Sequence, residues 1–123
     1  MDMGNIVVDV QIRFRNEVFI KALADTGFYG DVITKPEVAR KAGVELKHRR
    51  LRTLPDGRRV EVVYGGAEVI LKDEVTWGDI ETWDELKLPQ GIDALIGVTA
   101  LEKLGFKANP KTGELEKIEL YIL

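Results

Sequence analysis

The sequence predicts an all-β, closed-barrel-like domain with one or two short helices, and three observations carry that reading. Short apolar runs alternate with period two, Gly, Pro, Asn and Asp clusters interrupt them at intervals of roughly ten residues, and only two stretches carry helix start and stop signals. The chain has 123 residues, 45% hydrophobic and 32% charged, with no long linker or low-complexity stretch, so one domain over residues 1–123 is expected. At that length a chain buries roughly two thirds of its unfolded surface, enough for a core without disulfide or zinc support.

Ile6, Val8, Val10, Ile12 and Phe14 share one face of a first strand, opposite Asp9, Gln11 and Arg13. After a turn at Arg15-Asn16-Glu17, the run Val18 to Ala24 becomes apolar on both faces, as in a strand entering a core, and stops at Asp25-Thr26-Gly27. Val32-Ile33 leads to Thr34-Lys35-Pro36-Glu37, where Thr34 fits an N-cap and Glu37 its capping-box partner; a helix of about two turns then ends at Gly43. Residues 44–53 read as extended, and Leu54-Pro55-Asp56-Gly57-Arg58 as a hairpin turn, since Asp-Gly supplies the positive φ that tight turns need.

Val60, Val62 and Tyr64 then mark a strand that Gly65-Gly66 is expected to break. Another runs from Ala67 to Val75, and Trp77-Gly78-Asp79 reads as a turn into a further strand through Leu86, with Trp77 and Trp83 as packing residues flanking it. Asp93 to Gly97 is a short buried strand, and Thr99 to Glu102 has the spacing of a second capping box, opening a helix closed by Gly105. Asn109 to Gly113 is a turn, and the apolar residues Leu115 to Leu123 form a last strand.

Composition removes several kinds of chemistry. Without cysteine there is no thiol nucleophile, and with one histidine, His48, no histidine-rich metal centre can form. The net charge of −3 comes from 18 basic and 21 acidic residues that are well mixed, so no nucleic-acid footprint is expected; the one local exception is Lys47-His48-Arg49-Arg50 with Arg52. Gly65-Gly66 lacks the lysine and helix of a phosphate loop. No apolar run is long enough to span a bilayer and Met1 to Asn5 lacks a signal-peptide pattern, so the expectation is a cytoplasmic protein without membrane contact.

What remains is Asp25-Thr26-Gly27. A carboxyl group directly after an apolar strand sits at the edge of the core, where desolvation favours its neutral form; Thr26 adds a hydroxyl, and Gly27 allows close approach, while the same three residues by themselves also read as a β-turn with an Asx bond. Asp79 and Asp93 are the next carboxylates to consider, and each reads as a solvated turn residue; Asp31, close after the motif, reads either as a group that binds substrate backbone or as an Asx turn after Gly30.

The order of apolar strand, Asp-Thr-Gly, helix, Gly-containing hairpin, strands, Leu95-Ile96-Gly97 and helix resembles the retropepsin-like aspartic proteases, the single-lobe group that includes retroviral proteases and related domains of DNA-damage-inducible proteins. The resemblance runs from Ile6 to about Leu123. It implies the acid-protease fold with one lobe per chain, Asp25 as the catalytic residue, Thr26 and Gly27 as support for its loop, and no metal or organic cofactor. It also implies a homodimer, because the chemistry needs two carboxylates sharing a proton and this chain has one such motif; the apolar Ile118 to Leu123 is the candidate contact. Leu54, Pro55, Asp56, Gly57 and Arg58 would form the flap over a peptide or unfolded protein substrate, with Phe28, Tyr29 and Ile96 as groove walls. Phe28 stands where the family commonly has Ala, which keeps a second reading open: a catalytically silent homodimer that binds extended peptide in the same groove. RNA binding through Lys47 to Arg52 is a third.

Overall fold

Alternating apolar residues make β1 (Val7–Arg13), which pairs antiparallel with β2 (Glu17–Asp25) in the register Val7 to Leu23 through Arg13 to Glu17. The structure, a computed structural model, describes residues 6–119. Along β1 the inward residues Val8, Val10 and Ile12 are buried, while Phe14, expected on the same face, lies past the strand end and is exposed, with its ring edge against Trp77 at 6.0 Å.

After β2 come β3 (Val32–Thr34), α1 (Pro36–Lys41), β4 (His48–Thr53), β5 (Arg59–Leu71), β6 (Glu74–Thr82), β7 (Ala94–Gly97), α2 (Val98–Leu104), β8 (Phe106–Asn109) and β9 (Glu114–Lys117). The sheet order is β1-β2-β7-β3-β6-β5-β4, and a further β1–β5 pairing closes the first six of these into a barrel. Closure removes the free edges that such apolar strands would otherwise expose. β4 stays outside the ring, paired with β5 alone, and β8 and β9 form a separate hairpin next to α2. Ile12, Leu71, Ile80 and Ile96 from the strands and Leu101 from α2 are fully buried in the main core; a second, smaller apolar cluster is formed by Ile33, Val62 and Leu86, with Phe28, Val60, Trp83, Leu88 and Leu95 packed on it.

Several local expectations are corrected. Gly65-Gly66 does not break a strand: β5 runs through it, because a side chain at Gly65 would strike the Glu45 carbonyl and one at Gly66 the Trp77 indole. Trp77-Gly78-Asp79 is not a turn but the middle of β6. The turn lies at Lys72-Asp73, between the paired residues Leu71 and Glu74, with φ of 48° and 68° in place of the usual glycine. The strand there ends at Thr82 rather than Leu86, and of residues 44–53 only His48–Thr53 is strand.

Neither capping box forms. Helix α1 starts from Lys35, since β6 and β7 pair with β3 on both sides and draw Thr34 into the sheet, where its hydroxyl donates to the Asp93 carbonyl at 2.5 Å. In α2, Gly97 occupies the cap and Thr99 lies inside the helix. Both helix ends follow expectation, with Gly43 and Gly105 in the left-handed region. The last strand is Glu114–Lys117; Leu120 to Leu123, the greater part of the expected dimer contact, lies outside the described residues.

Candidate active site

β7 runs parallel to β2, with Asp25 opposite Gly97, and antiparallel to β3. The connection from β2 to β3, residues 26–31, therefore has to cross the end of the strand lying between them. It does so in contact: the Gly97 N–H donates to the Asp31 carbonyl at 2.8 Å, Val98 N–H to Phe28 at 3.0 Å and Ala100 N–H to Gly30 at 3.4 Å. A Cβ at Gly97 would collide with the Gly30 and Phe28 carbonyl oxygens, so the glycine of Leu95-Ile96-Gly97 is required by crowding; its φ of −93° is open to any residue.

This crossing holds Asp25 half-buried at the C-terminal end of β2. One carboxylate oxygen, Oδ1, accepts the Gly27 N–H at 2.9 Å, and the Asp25 carbonyl accepts the Phe28 N–H at 3.1 Å. Among the described residues Oδ2 has no hydrogen-bond donor and the group no cationic partner, and Oδ2 reaches solvent. The result is a carboxylate held by one oxygen with the other unengaged among the described residues. Thr26 is half-buried beside it, and its hydroxyl makes no hydrogen bond among the described residues.

The other site residues are distributed as follows. Tyr29 is 75% exposed next to the motif, while Phe28 packs into the second apolar cluster. Leu54 to Arg58 form the β4–β5 turn: Leu54 N–H donates to Arg58 at 2.7 Å, Gly57 N–H to Leu54 at 2.9 Å, and Gly57 has the positive φ of 88° that Asp-Gly implies. Leu54 is half-buried and Pro55, Asp56, Gly57 and Arg58 are exposed. Asp56 accepts from the Arg58 N–H at 3.0 Å and from its guanidinium at 2.8 Å, which holds its pKa below the ordinary 3.8. Ile96 is no groove wall: strand alternation turns it into the barrel, fully buried, and the half-buried Leu95 on the opposite face packs in the cluster with Phe28.

An ionic network unseen in the sequence surrounds the loop. Asp31, expected either to bind substrate backbone or to form an Asx turn, is buried; its Oδ2 accepts the Asp79 N–H at 2.8 Å, and Lys103 of α2 stands 3.1 Å from both oxygens, hydrogen-bonded to Oδ2 and paired with Oδ1 by charge alone. Asp79, also expected in a turn, pairs from β6 with Arg50 at 3.0 Å, and the fully buried Glu81 takes both Arg50 and Arg52. The Arg52 pKa is raised, chiefly by the Glu81 hydrogen bonds. Only Asp93 stays near its expected role, exposed and accepting the Lys21 N–H. The i, i+2 spacing of Arg50 with Arg52 and of Asp79 with Glu81 puts each pair on one strand face, a legible signal; that β4 reaches across β5 to β6 was not.

The basic run is thereby matched to acids: Lys47 to Glu45, Arg49 to Glu61, and Arg50 and Arg52 to Asp79 and Glu81. Among the described residues no group of three or more His, Asp or Glu is placed to hold a metal ion, and no helix is long and apolar enough to cross a membrane. No protein-family model matches the chain, and no curated protein matches it.

Proposed function

We propose that this chain is a single-lobe aspartic endopeptidase, active as a homodimer in which Asp25 of each copy supplies half of a carboxylate dyad. The observation that carries the reading is the Asp25 carboxylate itself: half-buried, anchored through Oδ1 by the Gly27 N–H and, among the described residues, without a cationic partner and open at Oδ2. The Gly27 bond is the i, i+2 bond of an Asx turn, which uses one carboxylate oxygen; what supports the reading is that Oδ2 is left without a partner among the described residues.

In the dyad, two like charges cannot both persist at close range, so one carboxyl stays protonated. The ionised member takes a proton from a water molecule whose oxygen attacks the scissile carbonyl carbon. The protonated member gives its proton to the carbonyl oxygen, and the tetrahedral diol forms. Return of a proton to the amide nitrogen then breaks the C–N bond and releases acid and amine. Thr26, whose hydroxyl makes no hydrogen bond among the described residues, would bond across the twofold axis and hold the two loops, and the β4–β5 turn would close over an extended peptide.

The decisive experiment is cleavage of an unfolded protein by wild type and by Asp25→Asn, from about pH 3 to pH 7, the range in which a shared pair titrates. The amide cannot act as base, so a loss of at least about 10³-fold is expected. Equal cleavage by the variant, or none by a folded wild-type dimer, overturns the reading. The silent peptide-binding module is then the account left, recognised by binding without turnover. Phe28, which first suggested it, is engaged with its own chain.

A further inference from the structure

Arg52 lies on β4, two residues before the hairpin turn starts at Leu54, yet its guanidinium touches the loop that carries Asp25. Nε and Nη2 grip the two carboxylate oxygens of Glu81 at 2.8 and 2.5 Å. Nη1 donates to the Tyr29 carbonyl at 3.3 Å, and the guanidinium lies 5.0 Å from the centre of the Phe28 ring. Gly30 completes the fit: a Cβ there would stand 2.7 Å from Nη2 and 2.5 Å from the edge of the Phe28 ring. Three successive loop residues are thus shaped around one side chain.

The orientation of that side chain is set by the barrel wall. Glu81 is fully buried on β6, and Arg50 adds a third hydrogen bond to it at 3.1 Å. A two-pronged arginine–carboxylate pair fixes a plane as well as a distance, and releasing a buried carboxylate from its partners is strongly unfavourable.

We propose that Arg52, clamped by Glu81, is the positioning residue that fastens the Asp25 loop to the base of the β4–β5 hairpin; its meaning for catalysis rests on the protease reading above. The clamp divides the hairpin. Up to Arg52 the strand is tied to β6 and to the loop, and the turn 54–58 lies beyond the clamp, where the space around Gly57 is open. The loop passes its position on in both directions, through the Phe28 N–H to the Asp25 carbonyl and through the Phe28 and Gly30 carbonyls to the first amides of α2.

The test compares wild type, Arg52→Lys and Glu81→Gln by amide hydrogen exchange and by peptide-cleavage kinetics on the same samples. Arg52→Lys keeps a positive charge over Glu81, and so the fold, but one ammonium cannot span both Glu81 oxygens and the Tyr29 carbonyl. Exchange at the Phe28, Val98 and Ala100 amides should rise about tenfold, with β1 and β2 unchanged, while kcat falls about 10- to 100-fold and KM moves less than about threefold. Glu81→Gln should give the same pattern, since it releases the guanidinium without touching the loop. Exchange at these three amides equal to wild type in Arg52→Lys overturns the proposal, whether or not the protein is a protease. Raised exchange in the variants of a wild type that cleaves nothing supports the fastening and overturns the protease reading instead.

Discussion

Replacing Gly97 with alanine adds one methyl group at the point where the loop 26–31 crosses β7, and its effect can be worked out from the contacts there. The new Cβ would lie 2.5 Å from the Phe28 carbonyl oxygen and closer still to that of Gly30. Both are backbone atoms, so no rotamer change relieves the clash. β7 cannot retreat, since β2 and β3 hold it on either side. The loop must lift, at the expense of the bonds from the Gly97, Val98 and Ala100 amides to the Asp31, Phe28 and Gly30 carbonyls. At a net contribution of about 1 kcal/mol for each hydrogen bond, Gly97→Ala should lose about 3 kcal/mol. With an unfolding entropy of roughly 2 cal/mol/K per residue, Tm should drop by about 10 °C. Denaturant titration gives the first quantity and a thermal melt the second. Because the Asp25 carbonyl is bonded to Phe28, cleavage per folded molecule should fall as well. A stability within about 0.5 kcal/mol of wild type, the range of an ordinary surface substitution, would refute the crowding argument.

Ile96→Ala empties a fully buried position and should cost about 2–5 kcal/mol in denaturant titration while leaving the kcat of the folded fraction unchanged; a selective change in KM would return Ile96 to the groove. The Lys72-Asp73 turn holds two non-glycine residues at positive φ, so the double change to Asn-Gly should raise stability by about 1 kcal/mol, and a destabilised variant would show that these side chains matter beyond the turn. Asp56 has a depressed folded-state pKa, so its contribution is present above the unfolded value of about 3.9 and is lost as pH falls through the lower folded value. Exchange protection of the Gly57 amide should therefore drop as pH falls below about 4 in wild type and stay flat in Asp56→Asn; equal profiles would count against the Asp56–Arg58 bonds.

The elements legible in the sequence are those whose signal is local. Period-two alternation located β1, an apolar run located β2, Asp-Gly located the β4–β5 turn, and Gly43 and Gly105 marked helix ends, because each is a property of a few adjacent residues. An acid after an apolar strand is likewise a local pattern, and it makes Asp25 a candidate. What failed did so where a distant partner outweighed the local rule. Gly65 and Gly66 looked like breakers, but they give room to Glu45 and Trp77; Trp77-Gly78-Asp79 looked like a turn, but pairing with β5 made it strand; Thr34 looked like a cap, but two neighbouring strands drew it into the sheet. Ile96 and Leu95 are equally apolar, and only the register of β7 between β2 and β3 sends one into the barrel and the other toward Phe28. The charge network follows the same logic, since Arg52 and Glu81 are far apart in sequence and on strands that do not pair. Local chemistry chose the carboxylate; barrel closure, which sets who lies next to whom, decided what surrounds it.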